Sequence, residues 1–291
     1  MKKIVPFILI SFSLSAQIKG VVVDENNKPI PYVNIWIENE NIGTTSEEDG
    51  SFKIDLNEGN KNLIFSAIGY KKEISKFKEK IVLEKHIYKL EDVVIQTSKH
   101  TKEIEIGKYD KSKINFYYGC WDKPWIIAKY ISYNDTIEQV PFLKDLTIMT
   151  NSFKKNASIN LRILEVNLDG SPGNEITNEN ILVKVKKGKE NTTIELSKYK
   201  LKVPQNGIFI SIEFLIIEEN KYECEVNLKD KNEKKIMISY QPTIGTVPSE
   251  VSTTWKYIGK WTKIENKNSN ISAERYTNKF SEIAMKLTLT N

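Results

Sequence analysis

Apolar and polar residues alternate along much of this 291-residue chain, in short runs separated by turn residues. Between residues 32 and 37, valine and isoleucine alternate with Asn34 and Trp36. A period of two residues is that of a β-strand with one buried face. Tight-turn pairs such as Asp49-Gly50 lie between such runs, because glycine tolerates positive φ and aspartate bonds its own backbone. The pattern predicts an all-β fold.

The alternating runs fall into two groups. The first group predicts strands at 18–23, 32–37, 51–56, 63–70, 80–83 and 93–96. The second predicts strands at 125–131, 146–150, 158–166, 181–185, 192–196, 207–217, 235–240, 254–261 and 283–289. We interpret the charged stretch 97–113 between them as a linker. The sequence therefore predicts a β-sandwich over 17–96 and a larger, jelly-roll-like β-sandwich over 114–291.

The amino end has the pattern of a secretory signal peptide. Lys2 and Lys3 precede a short apolar run at 4–10, and small residues follow up to Ala16. This order predicts a signal peptide over residues 1–16 and export. The apolar run is shorter than the roughly 20 residues that span a membrane, so we expect no transmembrane segment after cleavage. Periplasm, outer-membrane surface and secretion all stay open.

Four segments of the first group carry a family resemblance. They are Gly-Val-Val-Val-Asp at 20–24, Lys-Pro-Ile-Pro-Tyr-Val-Asn-Ile at 28–35, the run 43–52, and Phe-Ser-Ala-Ile-Gly-Tyr at 65–70. In this order they resemble the carboxypeptidase regulatory-like domain, over residues 18–96. The resemblance implies a seven-stranded, transthyretin-like Greek-key sandwich, common at the amino end of exported Bacteroidetes proteins and without catalytic residues. Function must be argued separately, because a fold alone does not carry it.

A weaker resemblance covers part of the second group. The runs 161–166, 169–173 and 194–199 are similar to jelly-roll regions of related exported proteins. This similarity implies no activity.

Charge excludes one class of partner. The formal charge of +5 includes Lys2 and Lys3, which leaves +3 (5 − 2) after cleavage. That balance is too mild to predict nucleic-acid binding. Arg162 and Arg275 are the only arginines, so bidentate clamps on phosphate or carboxylate groups are scarce.

The chain contains two cysteines, Cys120 and Cys224. Export makes a disulfide between them possible. In the chain-entropy model, closing a loop of about 100 residues contributes about 4–5 kcal/mol. Two buried free thiols are the alternative, and the sequence leaves both open.

Histidine is too scarce for the common hydrolytic centres. A zinc peptidase needs paired histidine and carboxylate ligands, and a serine triad needs a histidine base. Only His86 and His100 occur, the latter inside the predicted linker. We interpret both as surface residues. The sequence predicts no catalytic residue, no metal site and no cofactor.

Carboxylate pairs need no histidine, so a glycosidase-like hydrolase stays open. The acidic clusters are Glu47-Glu48-Asp49 and Glu218-Glu219, which we interpret as solvated turns. The loop 169–175 offers several oxygens for calcium, but it lacks the regular ligand spacing of known calcium loops. We interpret it as a plain strand connection.

Aromatic residues are the best candidates for a binding site. Trp121 and Trp125 lie in the aromatic run 117–125, which also contains a glycine and a proline. Flat exposed rings of this kind stack on the apolar face of a sugar, whereas inward-pointing rings form an ordinary core. For Trp255, Tyr257 and Trp261, alternation with lysines at 256 and 260 favours the core.

The sequence as a whole predicts an exported, non-catalytic module of the cell envelope that binds a protein or glycan. The alternative is a carbohydrate-binding protein that uses Trp121 and Trp125. A second alternative is a carboxylate-dependent hydrolase.

Overall fold

The computed structural model describes residues 16–56, 61–86, 102–228, 233–268 and 274–291. Most of the predicted signal peptide, the predicted strand 93–96 and His100 lie outside these ranges. Within them, β-strands form nearly all regular structure and the one α-helix is short, α1 (Asp135–Gln139). The all-β prediction is confirmed. No helix in the described ranges is long and apolar enough to cross a membrane.

The first sandwich has seven strands among the described residues. They are β1 (Ala16–Asp24), β2 (Asn34–Ile37), β3 (Gly43–Thr45), β4 (Ser51–Leu56), β5 (Asn62–Ser66), β6 (Glu73–Lys76) and β7 (Lys80–Leu83). Sheet 1 has the order β4-β1-β7, with β1 parallel to β7, and sheet 2 has the order β3-β2-β5-β6. One apolar cluster packs between the two sheets, with Val22, Ile35, Phe65 and Leu83 at its centre.

The remaining strands form a larger sandwich. They are β8 (Glu103–Ile106), β9 (Tyr117–Cys120), β10 (Trp125–Ile131), β11 (Phe142–Ser152), β12 (Ser158–Val166), β13 (Pro172–Glu175), β14 (Ile181–Lys184), β15 (Gly188–Glu195), β16 (Ile208–Phe214), β17 (Lys221–Leu228), β18 (Glu233–Ser249), β19 (Thr254–Tyr257), β20 (Trp261–Lys263), β21 (Phe280–Ile283) and β22 (Met285–Thr290).

These strands make two more sheets. Sheet 3 has the order β13-β12-β16-β10-β19-β20, with β14 beside β12. Sheet 4 has the order β17-β18-β11-β22-β8, with β15 beside β11 and with β9 and β21 beside β18. A single large apolar cluster fills the space between them, including Leu161, Ile212, Leu146, Ile148 and Leu287. Alternation along β12 and β16 places every second residue in this core.

The structure differs from the predicted linker at residues 103–106. These residues form β8, which pairs with β22 at the edge of sheet 4. The run Glu-Ile-Glu-Ile is short and charged, so it resembles linker composition. Ile104 and Ile106 nevertheless pack against the core of the second sandwich, and this burial explains the strand.

The predicted single strand 254–261 is a hairpin instead. β19 and β20 pair through Tyr257 and Trp261, around Gly259 with φ of 73°. A positive φ at this turn suits glycine. The hairpin keeps Trp255, Tyr257 and Trp261 on the same side of sheet 3 and partly buried.

Cys120 and Cys224 form no disulfide. They lie on β9 and β17, which flank β18 on opposite sides. Two strand spacings of about 4.8 Å separate their backbones, whereas a disulfide requires Cα atoms within about 7 Å. The Cys120 thiol instead donates to the Lys123 carbonyl oxygen at 3.0 Å, and burial raises its pKa.

We predict that one thiol reacts quickly with a chromogenic disulfide reagent in the native protein and that two react after unfolding. Cys224 is partly exposed and reacts first, whereas Cys120 is 2% exposed and protected. A Cys224→Ser variant is the control, and it loses the fast phase. If neither thiol reacts, either in the native protein or after unfolding without reductant, the unpaired arrangement is wrong.

Candidate functional site

Sheets 2 and 3 face each other where the two sandwiches meet. Asn34 and Trp36 point away from the core of the first sandwich, yet they are only 3% and 2% exposed. Opposite them, Arg162 and Glu213 point away from the core of the second sandwich and are 6% and 1% exposed. Each sandwich therefore covers polar side chains of the other.

Glu213 is the centre of the hydrogen-bond network at this junction. Asn34 of the first sandwich donates through Nδ2 to Oε1 of Glu213. Asn160 donates through Nδ2 to Oε2 at 2.9 Å, and Arg162 donates through Nη1 to the same oxygen at 3.4 Å. Arg162 also donates through Nη2 to Glu175. The Arg162 guanidinium thus bridges two carboxylates, and one of them, Glu213, also accepts the hydrogen bond from Asn34 of the first sandwich.

Burial and pairing act in opposite directions on these groups. Burial raises the pKa of Glu213, and the Arg162 charge and the Asn160 amide offset part of that rise. Burial also disfavours the charge on Arg162, but Glu175 and Glu213 outweigh it and raise the pKa of Arg162 above its ordinary value. The guanidinium therefore stays charged, as arginine does in proteins generally.

Two further hydrogen bonds cross the junction. The Ile216 backbone N–H donates to the Thr45 hydroxyl oxygen at 3.2 Å. The Glu218 backbone N–H donates to Oε1 of Glu47 at 3.0 Å, and burial raises the pKa of Glu47. The interpretation of the two acidic clusters as solvated turns needs one correction, at Glu47, which the second sandwich partly covers. Glu48, Asp49, Glu218 and Glu219 are exposed, as predicted.

A cleft of about 300 Å³ opens beside this network, and we call it the junction cleft. Aromatic and polar side chains from both sandwiches line it, among them Trp36, Tyr70, Tyr257, Trp261, Asn34, Lys72, Arg162, Asn174 and Glu175. The rings of Trp36 and Tyr257 meet edge to face across the junction, with centroids 6.2 Å apart. Part of this wall is thus built by contact between the domains.

Trp121 and Trp125 line a different cleft, of about 460 Å³, which we call the Trp121 cleft. Trp121 lies in the loop between β9 and β10 and is 56% exposed. Trp125 is half-buried: its ring stacks on Phe214 with centroids 5.1 Å apart, and its indole N–H donates to the Gly119 carbonyl oxygen at 3.1 Å. The structure brings the two residues to one cleft but gives them different environments.

Polar side chains surround the exposed indole of Trp121. Lysines from the loop and from β19 and β20 border the cleft, together with acidic and carboxamide groups: Asp122, Lys123, Lys256, Lys263, Glu265, Asn266 and, from the first sandwich, Asn41. The arrangement combines one flat apolar surface with many hydrogen-bonding groups. Such a combination suits a ligand that has both apolar and polar faces.

The loop considered for calcium has another role. Asp169 accepts from the backbone N–H and the hydroxyl of Ser171, at 3.0 and 2.6 Å, which closes a tight turn. Glu175 at the end of the loop pairs with Arg162. Within the described residues, no three His, Cys, Asp or Glu side chains converge closely enough to hold a metal ion.

The sequence did contain a signal for the junction network. Arg162 and Glu213 each stand in the middle of an otherwise apolar strand, and Arg162 is one of two arginines in a lysine-rich chain. Charged residues are rarely buried without a partner. A buried charge on each of two strands indicates an ion pair between them. That the first sandwich covers this pair could be learned only from the structure.

These features define a class of protein: two β-sandwiches joined face to face through a buried polar network, with clefts at and near their junction. Residues 18–114, about one third of the chain, match the family model of the CarboxypepD_reg-like domain, a non-catalytic β-sandwich. The match confirms the resemblance seen in the first segments and extends beyond residue 96, through β8. No curated protein matches the chain.

We predict that Arg162→Ala lowers the free energy of unfolding by about 3–5 kcal/mol, because it leaves two carboxylates at the junction without their cation. Arg275→Ala is the matched control. Arg275 is partly exposed, donates to the Lys113 carbonyl oxygen and to Asn115, and lies over the Tyr276 ring. Its loss leaves no buried charge without a partner, so it costs about 1 kcal/mol. Denaturant unfolding measures both variants, and equal small losses contradict the assigned role of Arg162.

Proposed function

We propose that this protein is an exported, non-catalytic binding protein of the cell envelope, and that the Trp121 cleft is its ligand site. The exposure of Trp121 carries the proposal. The indole is 56% exposed in a short loop beside a cleft, whereas the other four tryptophans are buried or half-buried. An exposed large ring bordered by polar groups is a common feature of binding surfaces.

The first sandwich supports this site from the side. Asn41, which follows β2, reaches the wall of the Trp121 cleft. The contacts of Asn34 and Glu47 with the second sandwich hold the first sandwich beside the cleft. This role as a docking and positioning unit agrees with a domain class that has no catalytic function of its own.

A glycan is the specific ligand class that the cleft favours. A pyranose ring presents an apolar face that stacks on an indole, and its hydroxyl groups both donate and accept hydrogen bonds. The Trp121 cleft offers carboxamides from Asn41 and Asn266, and charged groups such as Lys256 and Glu265. These groups suit a hydroxylated ligand better than an apolar peptide segment.

The hydrolase alternative has less support. Hydrolysis of a glycosidic bond requires two carboxyl groups that can reach the substrate. Glu175 and Glu213 lie on either side of Arg162 and both accept hydrogen bonds from its guanidinium. Glu213 is also 1% exposed. Their arrangement suits a structural pair better than an acid and a nucleophile.

Export is supported by the signal-peptide pattern of residues 1–16. The absence of a strong net charge, +5 for the whole chain, agrees with a partner other than nucleic acid.

We predict that the mature protein binds at least one glycan on a broad array, and that Trp121→Ala weakens this binding roughly tenfold or more, as for a central aromatic contact. Phe153→Ala is the matched control, because Phe153 is 54% exposed and does not line the Trp121 cleft. Isothermal titration with the best array ligand measures both variants.

Two outcomes contradict the proposal in different ways. If no glycan binds, the proposed ligand class is wrong, and a protein becomes the better candidate for the partner that occupies the cleft. If a glycan binds and Trp121→Ala and Phe153→Ala behave alike, the ligand site lies elsewhere.

A further inference from the structure

Three buried polar atoms at the junction of the two sandwiches lack a hydrogen-bond partner among the residues that the structure describes. They are Oδ1 of Asn34, Nε1 of Trp36 and Nε of Arg162, out of seven such atoms in the described residues. The three side chains are 3%, 2% and 6% exposed, and all three line the junction cleft. Each buried polar group without a partner costs about 1–3 kcal/mol. A bound molecule that completes all three would recover this cost.

The types of these atoms restrict that molecule. Trp36 Nε1 and Arg162 Nε are donors, whereas Asn34 Oδ1 is an acceptor. The molecule must therefore both accept and donate hydrogen bonds, as hydroxyl groups do. Tyr257 and Trp261 add aromatic rings to the same cleft, with centroids 5.2 Å apart. Aromatic rings favour a ligand that also has an apolar face.

Charge at the buried end of the cleft argues against a strongly charged ligand there. The guanidinium of Arg162 is already bonded to Glu175 and Glu213, so an anion next to it would also approach two carboxylates. Lys72, the other cation of the cleft wall, is exposed, and water screens its charge. A cation would meet the free N–H groups of Arg162 and Trp36. Burying an unpaired charge is costly in either case.

We propose that the junction cleft binds a small, neutral, polyhydroxylated molecule, of the class of a single monosaccharide. A cleft of about 300 Å³ stands at the small end of ligand pockets, which suits one ring rather than a polymer. The junction cleft and the Trp121 cleft share no lining residue. This second site therefore does not depend on the function proposed for Trp121.

The N–H group of Trp36 provides a direct reporter. In a nitrogen–proton correlation spectrum the five tryptophans of the chain give separate indole signals, and Trp36→Phe identifies the signal of Trp36 by its loss. D-glucose, D-galactose and D-mannose are the neutral probes, and D-glucuronate and D-glucosamine are their charged counterparts. We expect at least one neutral hexose to shift the Trp36 signal saturably at millimolar concentrations.

Three variants locate the site. Trp36→Phe keeps a ring and removes one donor, so the affinity for the hexose falls about tenfold, as the loss of one hydrogen bond predicts. In this variant the indole signal of Trp261 reports binding. Trp261→Ala removes a partly exposed ring. It lowers the affinity for the hexose by a similar or larger factor and leaves the buried hydrogen-bond network intact. Trp121→Ala changes the affinity less than twofold.

The proposal is overturned if none of the three hexoses moves the Trp36 signal. It is also overturned if a hexose binds with equal affinity to Trp36→Phe, Trp261→Ala and the parent protein, or if a charged sugar binds more tightly than every neutral one.

Discussion

The hydrogen bonds around Glu213 decide how this molecule is arranged. A carboxylate on the outer face of sheet 3 is held by Arg162 and Asn160 from its own sandwich and by Asn34 from the other. A buried ion pair adds little net stability over a well-packed apolar contact, but its disruption is costly because it leaves a charge without a partner. The network therefore acts mainly through specificity. The hydrogen bond from Asn34 to Glu213 ties the first sandwich to the placement seen here.

That placement determines the surroundings of both clefts. The junction cleft lies beside the network and takes walls from both sandwiches, including the edge-to-face contact of Trp36 and Tyr257. The Trp121 cleft belongs mostly to the second sandwich but receives Asn41 from the first. Gly69 marks a further close approach, because a Cβ atom there would lie 3.0 Å from the Asn178 carbonyl oxygen. Ligand sites and domain contacts thus depend on one interface.

Strand identity could be predicted from local alternation, because the side that faces a sandwich core is encoded every second residue. β10 and β12 have the bounds that the sequence predicts, 125–131 and 158–166. The polar side of β2 was different: Asn34 and Trp36 resemble solvent-facing residues locally, and only the second sandwich buries them. β8 escaped prediction for the same reason, since its partner β22 lies at the far end of the chain. Non-local partners, not propensity, account for these differences.

Differential scanning calorimetry of the protein tests most directly whether the junction makes the two sandwiches one cooperative unit. The account predicts a single transition, with a calorimetric enthalpy close to the van't Hoff enthalpy. Two resolved transitions, with the first sandwich melting independently of the second, would contradict it.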